Sequence, residues 1–135
     1  MIGAAKKLST GKSVGIDVWN AEDLSGNAIK NTLNNAQLEK VSDKIEVLNE
    51  DARQMTFSDN SFDVILSNMC LHNIYDKLGR AKACSEIYRV LKPKGVAVIS
   101  DYKLIDEYAQ VFTRLGARVE KVDTAWFSAI LKIEK

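Results

Sequence analysis

Two aspartates and a single histidine are the residues whose types and spacing could do chemistry. Asp17 stands near the end of the apolar run at 13–19 (SVGIDVW), and Asp51 stands just beyond the run at 44–49 (KIEVLN). A carboxylate at the C-terminal end of a buried strand can accept two hydrogen bonds from adjacent hydroxyls, as a ribose presents them. A flat heterocycle needs an apolar slot and one acceptor, which Val18, Ala52 and Asp51 could supply. Alone, Asp17 could equally cap a turn, and loop aspartates such as Asp51 are common. Both at strand ends in this order favour a nucleoside. His72 is the chain's one histidine. Its imidazole could move a proton near neutral pH, or it could be structural. Tyr75 carries less weight.

Other pairings lead nowhere. Cys70 and Cys84 form no CxxC pair, and Cys70-x-His72 is not a zinc spacing, so no metal is expected and both are read as reduced thiols in or near the core. Thr10-Gly11-Lys12-Ser13 resembles the end of a Walker A loop, but the required earlier glycine position is Lys6, and the motif precedes a strand. Tyr88 and Lys92 have a dehydrogenase-like spacing, yet they lie at the far end of their helix from a ligand-binding edge.

The elements that must position these residues alternate. A helix is predicted at 2–8, a strand at 13–19, a loop at 21–27 and a helix at 27–38 with Ile29, Leu33 and Ala36 on one face. Strands follow at 44–49 and 62–68; the second (FDVILSN) is apolar enough to predict burial on both faces. The helix at 76–91 takes Asp76 as its N-cap and Leu78, Ala81, Cys84, Ser85, Ile87 and Leu91 as its stripe. Pro93, within KPKG, stops it. A strand at 95–101, a helix at 104–115 closed by a left-handed Gly116, and an antiparallel pair at 118–122 and 126–133 complete the chain.

The 135 residues suit one domain, 1–135, without repeats or linkers, and 46% hydrophobic with 27% charged residues is a globular balance. A net charge of +1 gives no reason to expect nucleic acid or an anionic membrane as partner. No apolar run reaches the roughly 20 residues that span a bilayer, and the expected location is cytoplasmic.

This order of elements, with its local motifs, resembles the S-adenosylmethionine-dependent methyltransferases of the class I, Rossmann-like type. GIDVW, NEDARQMTFSDNSFDVILSN, the MCLHNI that follows Asn68, and EIYRVLKPKGVAVISD carry the likeness. The resemblance implies an α/β fold of three layers, its sheet mostly parallel with a C-terminal antiparallel hairpin. It implies S-adenosylmethionine as cofactor, with Asp17 on the ribose hydroxyls and Val18 or Trp19 beside the adenine. Asp51 would accept from the adenine amino group, with Ala52 at the ring edge. Asn68 to Asn73 would line the reacting end, where His72 is the candidate catalytic group. The expected acceptor is a small molecule.

The family's usual first strand and Gly-rich loop are missing; MIGAAKKL reads as the back half of a helix. The natural protein could start upstream of Met1, the strands at 13–19 and 62–68 could pair directly, or a second copy could cover the open sheet edges as a homodimer. The missing loop also supports a rival reading, a catalytically inactive methyltransferase-like interaction or structural module. A nicotinamide-dependent oxidoreductase is disfavoured by the closing hairpin and the lack of a catalytic tyrosine.

Overall fold

The computed structural model describes residues 1–20, 26–123 and 128–135. Of the predicted loop at 21–27 only Gly26 and Asn27 are described, and Trp126 and Phe127 of the last predicted strand lie outside the described residues. The chain divides into two compact units, Met1–Asp51 and Ala52–Lys135.

In the first unit, helix α1 (Ile2–Ala5) leads to strand β1 (Ser13–Asp17). Helix α2 (Ile29–Leu38) and a short 3-10 turn (Ser42–Lys44) then lead to strand β2 (Ile45–Asn49). The two strands are parallel and in register from Ser13 opposite Ile45 to Asp17 opposite Asn49. Parallel neighbours need a crossover, and α2 supplies it. Ala5, Ala36, Val41 and Ile45 form a small core with Ile2 and Val47 packed against it. Of the expected α2 stripe, Ala36 is buried while Ile29 and Leu33 stay exposed. The first helix is shorter than its composition suggests. Past its end the Lys44 ammonium donates to the Leu8 carbonyl at 2.9 Å.

The second unit holds a four-stranded sheet in the order β3-β4-β6-β5. β3 (Phe62–Asn68) runs parallel to β4 (Leu91–Asp101), and β6 (Ala129–Glu134) is antiparallel to both β4 and β5 (Arg118–Asp123). The terminal hairpin thus forms as expected, with its last strand inserted beside β4. Within each unit β1 pairs with β2, and β3 with β4. Helices α3 (Lys77–Val90) and α4 (Ile105–Arg114) share one core with the sheet. Ala97, Ile99, Leu131 and Ile133 are fully buried, at alternate positions as a pleated strand requires.

Three expectations are corrected here. β3 is not buried on both faces. It is the terminal strand of its sheet, and Val64 and Leu66 are 58% and 61% exposed. The α3 stripe is shifted in phase: Leu78 is exposed, and Gly79, Arg80, Ala83, Cys84, Ile87 and Val90 face inward. Asp76 does cap the helix, accepting from the Gly79 N–H at 2.6 Å. Finally, β4 begins directly at Leu91, and KPKG is an irregularity within it. Pairing with β3 passes from Leu91 to Val96 while β3 advances only from Phe62 to Val64, with Lys94 at φ 67°.

α4 starts after Leu104 in the left-handed region and ends before Gly116 at φ 89°, the conformation that favours glycine at a helix end. No helix among the described residues is long and apolar enough to cross a membrane.

Candidate functional site

β1 stops at Asp17, two residues earlier than its apolar run, because the chain turns at Trp19 with φ 55°. The turn is fixed by the aspartate itself. Its Oδ1 accepts from the Trp19 N–H at 2.6 Å and from the Asn27 amide at 3.3 Å. Such a local side-chain bond to the backbone two residues on is the usual way an aspartate closes a turn. Among the described residues both bonds fall on Oδ1. Val18 beside it is 53% exposed, and the Trp19 Nε1 is buried without a hydrogen-bond partner among the described residues.

Asp17 lies opposite Asn49 in the register, and its carbonyl accepts from the Glu50 N–H at 3.2 Å. Asp51 therefore follows on the same rim of the parallel pair, two residues past the partner of Asp17. This donor set fits a nucleoside. One carboxylate is held by its own turn, a second acidic residue sits beyond the neighbouring strand, and exposed apolar surface lies beside the first.

In the second unit Ala52 packs partly buried against the core, and Asn68, at the end of β3, is exposed. The chain then turns at Met69 (φ 51°), whose N–H donates to the Ser100 carbonyl at 2.9 Å, and enters a 3-10 turn at Leu71–Asn73. Cys70 is exposed, not packed in the core as expected, whereas Cys84 is fully buried and its thiol is pushed up to about 12, chiefly by burial. Tyr75 is exposed.

His72 is nearly enclosed, with 12% of its side chain exposed. Its partner is one that sequence reading missed. Asp101, the last residue of β4, is completely buried. Its Oδ1 accepts from the Tyr102 N–H at 2.8 Å and its Oδ2 from the His72 N–H at 3.2 Å, with the Tyr108 hydroxyl at 3.5 Å. The His72 Nδ1 lies 2.8 Å from Oδ1, close enough for an ion pair but outside the angles of an aligned hydrogen bond. Tyr102 meets the imidazole edge to face at 4.7 Å. Burial, reinforced by Asp101, holds the Tyr108 phenol above its ordinary range. The signal was available: Asp101 ends an apolar strand just as Asp17 does.

Behind this cluster Arg80 ties the loop to both helices. Its Nε and Nη2 pair with Glu107, and its Nη1 donates to the carbonyls of Ile74 and Tyr75 at 2.8 and 2.7 Å. The pairing holds the Glu107 carboxyl below the usual carboxylate range.

Parallel strands with carboxylates at their C-terminal ends, and helices in the crossovers, define a nucleotide-binding class of α/β protein. Residues 4–99 match the family described as "Methyltransferase domain", and the chain belongs to that family. It is 33% identical over 104 residues to the chloroplastic 2-phytyl-1,4-beta-naphthoquinone methyltransferase of Arabidopsis thaliana, covering 77% of this chain and 37% of that protein. The chain spans about a third of the length of the curated relatives it matches.

A solved SAM-dependent methyltransferase from Aquifex aeolicus superposes with a TM-score of 0.74 at 19% identity, over 96% of this chain and 72% of that one. The [4+2]-cyclase SpnF gives 0.79 at 16% identity, over 99% and 69%. At such identities the structures establish the Rossmann-like methyltransferase fold alone. A cyclase among them shows that the fold carries more than one chemistry.

Proposed function

We propose that this chain is the cofactor-binding and proton-handling part of an S-adenosylmethionine-dependent methyltransferase acting on a small-molecule acceptor. The observation that supports it best is the in-register ending of β1 and β2, with Asp17 and Asp51 following one another on one rim. Bound S-adenosylmethionine supplies an electrophilic methyl group; this chain's residues bind, orient and handle protons. Asp17 holds the ribose hydroxyls, Val18 and Trp19 flank the adenine, and Asp51 accepts from its amino group. In the second unit Ala52 and Asn68 carry the remaining contacts of the proposal.

Because positioning dominates such a displacement, a base is needed only where the acceptor's proton is tightly held. The Arabidopsis relative acts on a naphthoquinone by its name, so a reduced naphthoquinone is the first acceptor to try. Cytoplasmic action, and a homodimer that covers the open edge of β3, belong to the same proposal.

Calorimetric titration with S-adenosylhomocysteine tests it. Binding is expected, and Asp17→Ala is expected to weaken it by about 1–3 kcal/mol, the range for losing a charged acceptor. No heat and no thermal shift at millimolar ligand would leave the inert module as the better reading. Unchanged affinity in the variant would move the ribose away from Asp17.

A further inference from the structure

The two oxygens of Asp17 are not equivalent. Oδ1 takes both protein donors, the Trp19 N–H at 2.6 Å and the Asn27 side-chain amide at 3.3 Å, and among the described residues Oδ2 takes none. The Trp19 bond alone would leave the carboxylate plane loose, because rotation about a terminal sp³–sp² bond is broad and exchanges the two oxygens. A second donor, reaching the same oxygen from ten residues further along the chain, removes that freedom. Beside a carboxylate the Asn27 side chain must present its NH₂ and not its carbonyl, so chemistry fixes the direction of the bond.

Asn27 is itself held in place. It is half-buried and stands one residue before Ala28, the N-cap of α2. Asparagine is among the best N-cap residues and alanine among the poor ones. Here the better residue stands one position too early, and α2 starts without a side-chain cap. The Asn27 amide is turned to the end of β1 instead. The preceding Gly26 adopts φ 75°, and its carbonyl accepts from the Asn31 amide in the first turn of α2 at 2.7 Å. On the strand side, Trp19 sits at φ 55°. A bulky residue in the left-handed region is an outlier that persists where its surroundings over-determine it, and such outliers gather at ligand sites. A cap forgone at Ala28 and strain kept at Trp19 converge on one carboxylate.

We infer that Asn27 is a positioning residue: by sharing Oδ1 with the Trp19 N–H it locks the Asp17 carboxylate, so that Oδ2 receives the ribose hydroxyls of the cofactor. Ordering the carboxylate before the ligand arrives removes a cost that binding would otherwise meet. The assignment rests on the cofactor reading proposed above.

The test is calorimetric titration of the full chain with S-adenosylhomocysteine and with a dideoxyribose analogue that lacks both ribose hydroxyls. Asn27→Ala is expected to weaken S-adenosylhomocysteine binding by about fivefold, the order of one net hydrogen bond. Asn27→Asp has the same shape but no donor, and adds a negative charge beside Asp17; it should lose at least as much. Against the analogue, or in an Asp17→Ala background, Asn27→Ala should cost less than about twofold, since its effect acts only through the carboxylate and the hydroxyls.

An asparagine that merely shapes the loop would weaken both ligands by the same factor. That result overturns the inference, as does undiminished S-adenosylhomocysteine affinity in a folded variant. If Asn27→Ala does not fold by circular dichroism, Asn27→Asp against the two ligands decides. The two failures are distinguishable. A native chain that binds neither ligand sinks the cofactor reading and this assignment with it, whereas native binding with equal losses for both ligands sinks the assignment alone.

Discussion

The Arg80 guanidinium and the Glu107 carboxylate meet at two points, Nε to Oε1 at 2.8 Å and Nη2 to Oε2 at 3.2 Å, and so bolt α3 to α4. The Arg80 side chain is 9% exposed and that of Glu107 18%. Removing one partner strands the other's charge away from water. Arg80→Met is expected to cost about 3–5 kcal/mol in a urea titration. A change below that range would mean water reaches the site.

The same pair sets an acid limb. Glu107 has its carboxyl lowered by the Arg80 hydrogen bond, with Lys77 adding to it. A lowered acid binds fewer protons folded than unfolded, so its contribution is fully present above the unfolded value of about 4.3 and is lost as pH falls through the folded one. Glu107→Gln should therefore flatten the loss of stability below about pH 4. Parallel acid titrations, followed by circular dichroism, check this.

Gly79 offers a case where propensity and packing disagree. Alanine is favoured over glycine in a helix by up to about 1 kcal/mol. Here a Cβ would lie 2.6 Å from the Asp76 Oδ2 and 2.9 Å from the Ile74 Cγ2. The capping carboxylate would have to leave its place against the Gly79 N–H. Gly79→Ala is expected to lower stability by about 1–3 kcal/mol, as overpacking does. A rise in melting temperature would contradict the close fit.

The two thiols should separate cleanly in alkylation. Cys70 is exposed, whereas burial raises Cys84 to about 12, so little thiolate forms at neutral pH. Iodoacetamide on the native protein should label Cys70 and reach Cys84 only in denaturant. Mass spectrometry of the peptides decides, and native labelling of Cys84 would show that α3 opens.

Leu66 tests the surface of β3. Because it is exposed, Leu66→Lys should change monomer stability by less than about 0.5 kcal/mol. If a second copy covers that strand, the same change should shift sedimentation toward the monomer. Dimers that survive it would place any such interface elsewhere.

What the sequence revealed follows from which interactions are local. The Asp76 cap, the Gly116 stop and the close-coupled hairpin depend on neighbours a few residues apart, and each forms where expected. The phase of α3 was misread at Leu78 because a pattern of apolar types counts Arg80 as surface. Its burial depends on Glu107, 27 residues away. The apolar run of β3 hid its terminal place in the sheet, which neighbouring strands decide. At the site, the strand-end rule picked out Asp17 but was not applied to Asp101. His72 was visible as a lone imidazole, yet its setting could not be read without the turn that folds it onto β4.

The connection between β2 and β3 gains its own significance from Arg89. That guanidinium donates to the Asp59 carboxylate and to the main-chain carbonyls of Met55 and Phe57, while Glu86 accepts from the Met55 N–H. A grip on main-chain atoms is blind to the amino acid that carries them. The route of this segment is thereby set independently of its side chains, while Met55 and Phe57 answer to a separate constraint, the one packing on the core and the other meeting the Phe62 ring edge to face.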